Sequence, residues 1–346
     1  MIYSENTQIA NLAIHFVGNK SEDDFFNPSK SEIKIEEDIK NLLLNYFIPP
    51  FKSEEYFHFY HDIDIKMNEV YSCVKKIFEN NETLYEQSVN LAKHLFEQSL
   101  HPKIKEGEFY TVFFRKINLN GETYDALGLF KSENKDTFIK IDRFHDNFEI
   151  DSERGININK LDKGCLIFNK DSENGFILSV VDNTNRGAEA QYWMDDFLHV
   201  RQIKDKYYNT NNLLTLTKEF ITKEFPQHFE VTKADQVDLL NKSVKYFKDK
   251  EQFGLTEFAD EVMVQHDVIS RFNEYKSEFE RERNIEINEE FEISDSAVKK
   301  QSRVFKSVIK LDKNFHIYVH GNRNLIEQGV DEKGRKFYKI YYDEEN

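Results

Sequence analysis

Six basic side chains fall within twenty residues near the C-terminal end: Lys299, Lys300, Arg303, Lys306, Lys310 and Lys313, with Asp312 the one acid among them. Such a run can neutralise phosphates and release their counterions, giving affinity for nucleic acid without sequence choice. The stretch before it, Ser277 to Asp295, has the opposite sign, with eight acids against Arg281 and Arg283. Two readings stand open. The cations face phosphate, or they form a solvated face that pairs with the acids from Glu278 to Asp295. Competition between the two would make DNA binding conditional, and would reconcile a basic run with a formal net charge of -16.

Lys242, Lys245, Lys248 and Lys250 mark a second basic surface, on a helix whose apolar face is Leu240, Val244 and Phe247. Tyr246 beside them is a candidate for stacking on a base. The bland reading is an ordinary amphipathic helix with a solvated side. A third patch, Arg201, Lys204 and Lys206 beside Tyr207 and Tyr208, is nearly cancelled by local acids.

His58-Phe59-Tyr60-His61-Asp62-Ile63-Asp64 offers imidazole and carboxylate groups of the kind that bind zinc or manganese. It has no third His or Cys at a characteristic spacing, so a surface loop with partly packed aromatics is expected, and no metal. Asp125, Glu133 and Lys135 echo the Asp…Glu-x-Lys pattern of metal-dependent nucleases, where carboxylates hold Mg²⁺ and a lysine orients water or stabilises charge. That chemistry needs Glu and Lys on one face of a core strand, whereas Glu133-Asn134-Lys135-Asp136 reads as a turn near the exposed end of a sheet. Gly107, Gly121 and Gly128 are separate turn or strand glycines rather than a phosphate loop. With no Ser/His/Asp or Cys/His arrangement either, neither catalytic residues nor a cofactor are expected.

The elements that would carry these groups follow from periodicity. Ile9–Val17 reads as an opening strand closed by Gly18-Asn19. Ile35, Ile39, Leu42, Leu43, Tyr46 and Phe47 have helical spacing up to Pro49-Pro50. Met67, Val70, Val74, Ile77 and Phe78 predict a second helix, and Leu84, Ser88, Leu91 and Leu95 a third, capped by Thr83 with Glu86. Phe109–Ile117 and Tyr124–Lys131 flank Asn120-Gly121, a hairpin signal. Thr137–Ile141, Cys165–Asn169 and Phe176–Val181 are further strands. Ala190, Trp193, Met194, Phe197 and Leu198 form an apolar helical stripe, which makes Trp193 a core residue. Leu213–Phe225 is helical and closed by Pro226. Thr232 with Asp235 caps a helix, Thr256 caps another, and Val268–Arg283 continues the helical part. Val304–Leu311, Phe315–Val319 and Phe337–Tyr342 alternate like strands.

The fold class is therefore α+β: N-terminal helices with an antiparallel sheet, then a helical C-terminal part ending in a small β-sheet. The polar stretch Arg201–Asn212 places a boundary between a domain over 1–203 and a domain over 204–346 with a terminal hairpin. The 31 Phe and 17 Tyr supply a core. Two cysteines, Cys73 and Cys165, cannot build a disulfide framework and read as buried thiols. The N-terminus lacks the basic and apolar regions of a signal peptide, and no apolar run approaches the ~18–20 residues of a membrane span. A soluble cytoplasmic protein with no membrane partner is expected.

Three blocks, met in order, carry a family likeness: Ile14-His15-Phe16-Val17-Gly18-Asn19-Lys20 with Leu42-Leu43-Leu44-Asn45-Tyr46-Phe47 and Pro50-Phe51; Gly128-Leu129-Phe130-Lys131-Ser132-Glu133 with Phe138-Ile139-Lys140; and Ala190-Gln191-Tyr192-Trp193 through Phe197-Leu198. The chain resembles the bacterial nucleoid-associated protein family over most of its length. The resemblance implies a cytoplasmic, DNA-associated protein without a catalytic motif, and it brings no residue-level binding site. The expected function is non-catalytic association with the nucleoid, through weak sequence-independent DNA binding or through chromosome-associated protein partners. The alternatives are an interaction adaptor without DNA contact and a divalent-metal nuclease on Asp125, Glu133 and Lys135.

Overall fold

Asn120 and Gly121 make an exposed turn in the computed structural model, which describes every residue except 23–24, 185–191, 306–307, 320–322 and 345–346. Their φ values, 53° and 93°, are the left-handed pair that a type I′ hairpin needs. The turn joins β5 (Gly107–Leu119) to β6 (Glu122–Ser132) within a nine-stranded antiparallel sheet. The other members are β1 (Ile2–Tyr3), β2 (Gln8–Val17), β3 (Phe26–Pro28), β4 (Phe57–Phe59), β9 (Lys163–Phe168), β10 (Ile177–Asp182) and β11 (Val200–Gln202). Their order is β11-β4-β10-β9-β6-β5-β2-β3, with β1 pairing on β5. β7 (Asp136–Phe144) and β8 (Asn147–Gly155) leave this sheet as a separate hairpin.

Period-two alternation divides the sheet's residues between two cores. Phe109, Phe113, Leu127, Leu129, Cys165 and Ile167 meet α2 (Glu69–Glu79), α3 (Leu84–Gln98), Trp193 and Phe197 on one face. Tyr110, Val112, Phe114, Phe130, Leu166 and Phe168 meet the end of α1 (Glu37–Phe47), through Tyr46 and Phe47, on the other. Gly128 has no Cβ because one would stand 2.4 Å from the Phe130 ring and 2.7 Å from that of Phe114. The α1 stripe is only half used. Tyr46 and Phe47 are buried, while Ile39 and Leu42 remain exposed. Met67 is also exposed, one turn ahead of α2.

The Thr83–Glu86 capping box does not form. Thr83 closes a 3-10 turn with helical φ and ψ, so its hydroxyl donates back to the Asn80 carbonyl at 2.7 Å. Asn80 does the capping, accepting from the Glu82 amide.

Buried His15 on β2 joins the sheet to α3. Its Nε2 lies 2.8 Å from Ser88 Oγ and its Nδ1 accepts from the Ser29 amide. Burial lowers its pKa to about 4 from the ordinary 6.5. Between those values the unfolded chain binds a proton that the folded one refuses, so stability falls as pH drops from 6.5 toward 4. The expected loss is about 2 kcal/mol at pH 5 relative to pH 7.5. Urea titrations at both pH values should show that loss in the native protein and a clearly smaller one in His15→Gln. An unchanged pH dependence in the variant would exclude His15 as its source.

The chain divides into two compact units, Met1–Ile203 and Lys204–Asn346. The second begins with α4 (Lys206–Glu219), capped by Asp205, so the helix expected from Leu213 starts two turns earlier. The polar stretch that reads as a linker supplies those turns. Asn209 and Thr210 are buried and accept from the backbone amides of Asn288 and Ser294, each at 3.0 Å. Pro226 does not stop the helix. A π-turn over Phe220–Glu224 precedes it, and Pro226 opens α5 (Phe225–His228), where its missing N–H costs nothing.

Thr232 and Asp235 do form a capping box at the start of α6 (Lys233–Asp249). α7 (Leu255–Phe258) is entered from Gly254, not capped by Thr256, because β12 (Gln252–Gly254) runs straight into it. The unit continues with α8 (His266–Arg283), β13 (Glu290–Glu292), which pairs with β12, and α9 (Asp295–Ser302). Two antiparallel pairs finish it: β14 (Val308–Leu311) with β15 (Phe315–Tyr318), and β16 (Ile326–Val330) with β17 (Lys336–Ile340). Its core is strongly aromatic, with Phe220, Phe247, Phe253, Phe258, Phe272 and Phe291 in one cluster. The α+β class expected from the periodicity is the one observed.

Candidate nucleic-acid interface

The C-terminal basic run is not one strand or one helix face. Lys299 and Lys300 lie in the last turn of α9, where cations also offset the helix dipole. Arg303 follows in the turn, Lys310 stands on β14, and Lys313 lies in the tight turn to β15. All five are exposed, while Val298, Phe305 and Ile309 between them point into the cores. Lys306 lies outside the described residues. Lys300 is engaged locally, donating to the Tyr207 hydroxyl at 2.9 Å. Lys299, Arg303, Lys310 and Lys313 take part in no ion pair among the described residues.

Four of the eight acids upstream are ion-paired among the described residues. Glu278 binds Arg271 at 3.0 Å, Glu280 binds Lys276 at 2.9 Å, Glu286 meets Lys204 at 3.6 Å, and Glu292 pairs with Lys206. The third basic patch is therefore spent on carboxylates: Lys204 and Lys206 as above, and Arg201 on Asp62 at 3.7 Å. Tyr207 and Tyr208 beside it are buried.

The α6 surface is more selective than the sequence suggests. Lys242, Lys245 and Lys248 are exposed, with Asp238 2.7 Å from Lys242. Lys250 is held by Glu257 and Glu261 at 2.6 and 2.8 Å, and these bonds push its pKa up. Tyr246 is buried and donates to Glu257 at 2.9 Å, so it offers no ring to a base. Helix α6 packs against both α9 and β14, and Ala234, Val237 and Ile309 share a small core. The two basic groups that are far apart in sequence thus sit on elements in mutual contact.

The nuclease-like residues do not converge. Asp125 pairs with Arg115 on β5, and Lys135 with Glu108 at 2.6 Å. Asp125 and Glu133 are separated along β6 by roughly 25 Å of extended chain. Glu133 also overturns the expectation of an exposed turn, because its carboxylate is buried. It accepts from the Tyr192 hydroxyl at 2.9 Å and lies 3.3 Å from Lys131 and 3.6 Å from Lys163. Those lysines are cross-strand neighbours on β6 and β9, and both are fully buried. Lys131 also donates to the Lys105 carbonyl at 2.8 Å, and Lys163 binds Asp182 at 3.0 Å. Burial lowers the Lys131 pKa and raises that of Tyr192 well above its usual value. Sequence reading missed this network, although two lysines at apolar strand positions, Lys131 and Lys163, were its signal.

The histidine segment is likewise divided. His58 donates from Nδ1 to the Phe176 carbonyl and sets Nε2 3.7 Å from Asp171. His61 accepts from the Ile63 amide, Asp62 accepts from Tyr60, and Asp64 caps a 3-10 turn. Among the described residues, no three His, Cys, Asp or Glu side chains gather as a metal site. Trp193 is buried in the core, as its stripe predicts. Cys165 is buried and Cys73 half-buried, with burial raising the Cys73 thiol to about 11.

No helix of the described residues is long and apolar enough to cross a membrane. Among curated proteins none matches the chain. The family model described as nucleoid-associated protein YejK matches residues 13–344. That span takes in most of the central sheet, the buried lysine network, α6 and the basic run, and the chain accordingly belongs to the nucleoid-associated protein YejK family.

Proposed function

We propose that this protein binds the backbone of duplex DNA weakly and without sequence choice, as a non-catalytic component of the bacterial nucleoid in the cytoplasm. The observation that carries the reading is the C-terminal assembly of α6, α9 and β14. These elements pack together and expose Lys242, Lys245, Lys248, Lys299 and Lys310. Local charge favours the same reading. From Lys299 to Asn346 there are eleven basic against seven acidic residues, in a chain whose net charge is -16. Most of the acidity lies elsewhere, since residues 1–203 hold 35 Asp and Glu against 23 Lys and Arg. That N-terminal acidity repels DNA and favours a second reading, an adaptor for chromosome-associated proteins.

Anisotropy titration of a mixed-sequence duplex across salt separates the two. Backbone binding gives log affinity falling with log salt at a slope near -0.9 per neutralised phosphate, and equal affinity for unrelated duplexes. No binding by folded protein at low salt would leave the adaptor. The same samples with Mg²⁺ or Mn²⁺ should yield no cleavage products, because Asp125, Glu133 and Lys135 are engaged by separate partners.

A further inference from the structure

Strands β6, β9 and β10 share one end of the central sheet, where Lys131 stands opposite Lys163 and Lys163 opposite Asp182. A cavity of about 870 Å³ opens there, within the size range of small-molecule sites. Three separate connections supply its cations. Lys52 comes from the segment after α1, Lys103 and Lys105 from the segment between α3 and β5, and Lys160 from the segment between β8 and β9. All four are exposed. Lys105 donates to the neutral amide oxygen of Asn134 at 2.7 Å, and Lys160 shares its charge with Asp136 at 2.9 Å. Lys52 takes part in no ion pair among the described residues.

The two carboxylates of the lining are already occupied. Glu133 holds Lys131, Lys163 and Tyr192. Asp162 accepts from the Glu133 and Asn134 amides at 2.7 and 2.8 Å and from the Asn134 side chain at 2.7 Å. The remaining walls include apolar surface on Pro49, Pro50 and Ile158, and exposed side-chain amides on Asn45 and Asn159. The buried lysine network adjoins the cavity through Glu133 and through Thr184, which accepts from Lys163. Buried ionised groups are costly to keep. Gathered beside an open polar cavity, with burial lowering the Lys131 pKa, they make the pattern of a ligand site rather than of a plain core.

We propose that this cavity binds a nucleoside polyphosphate, with its phosphates on Lys52, Lys103 and Lys105 and its base against Pro49, Pro50 and Ile158. Charge selects the phosphate end, because a lysine ammonium is a point charge that donates to phosphate oxygens. The apolar wall selects the base, which an inorganic polyphosphate lacks. Asn45 and Asn159 each carry a donor and an acceptor for the base edge or the ribose. The three hydrogen bonds to Asp162 fix Asn134, and through it Lys105, before the ligand arrives, which lowers the cost of binding. The cavity has lysines but no phosphate loop, so the affinity is on the order of 10–100 µM. None of these residues belongs to α6, α9 or β14, so the site stands apart from the surface assigned to DNA.

Isothermal titration of the full-length protein with ATP, GTP, adenosine and sodium tripolyphosphate tests this. The expected result is one site for ATP or GTP, with adenosine and tripolyphosphate each bound at least about 10-fold more weakly. Lys52→Gln with Lys105→Gln should weaken ATP binding about 10-fold or more. Ile158→Ser should weaken ATP binding and leave tripolyphosphate unchanged. All three positions are exposed, so urea unfolding of the variants followed by Trp193 fluorescence should match that of the native chain. Changing Lys299, Arg303, Lys310 and Lys313 to glutamine should leave ATP affinity at its native value, which keeps this test separate from the one for DNA. Four results would each overturn the proposal: no binding of ATP or GTP at about 1 mM, tripolyphosphate bound as tightly as ATP, native ATP affinity in the Lys52 and Lys105 double variant, or ATP binding lost in the C-terminal variant. The last would place the nucleotide on the C-terminal basic run instead.

Discussion

Replacing Glu133 with alanine is expected to destabilise the N-terminal unit by about 3–5 kcal/mol, the cost of leaving a buried charge without its partner. Glu133 is the carboxylate nearest Lys131, whose remaining contacts are the Lys105 carbonyl and the Tyr192 hydroxyl. Lys163 keeps Asp182, so most of the penalty falls on Lys131. Removing both members of the pair should cost much less than removing one, since a buried ion pair contributes little beyond an apolar pair of similar volume. Glu133→Ala combined with Lys131→Met is therefore expected to recover at least half of the loss. Trp193 is the single tryptophan and is buried in this unit, so its fluorescence through a urea titration isolates the relevant transition. A loss below about 1 kcal/mol in the single variant would mean that Lys131 unfolds no differently without its carboxylate, and the network would not be a structural element.

The second large effect concerns DNA. Changing Lys299, Arg303, Lys310 and Lys313 together to glutamine should weaken duplex binding roughly 10²–10³-fold near 0.1 M salt and flatten the salt slope by up to ~3.6, if each cation meets one phosphate. These four are chosen because they are exposed and outside every ion pair among the described residues, whereas Lys300 is engaged by Tyr207. Stability should change little, because exposed charges of this kind contribute ~0–1 kcal/mol each. A parallel variant at Lys242, Lys245 and Lys248 reports whether α6 belongs to the same surface. Intact binding in both variants, with the fold preserved, would remove the C-terminal assembly from the binding model. Weakened stability with unchanged binding would assign the cations to the protein's own acids instead.

Local elements with short-range signals are legible in the chain. Asn120-Gly121 demands positive φ at consecutive positions, Thr232 and Asp235 can close a capping box within one turn, and alternating Phe, Leu and Val fixes which strands have two buried sides. The sequence also displayed the basic runs, because a charge run is visible wherever it falls. Hydropathy misled where polarity serves the interior. Asn209 and Thr210 read as linker but bond amides 79 and 84 residues away, and Glu133 reads as a turn but neutralises lysines on two strands. These placements depend on the fold, because a buried polar group is stable through partners that sequence spacing does not name. The fold alone also brought α6, α9 and β14 together, withdrew Tyr246 and Lys250 from solution, and separated Asp125 from Glu133. Periodicity says that a ribbon over Ile139 and Ile141 is a strand. Whether its apolar side finds a cover within the fold depends on what the rest of the chain packs against it, and here that side faces water.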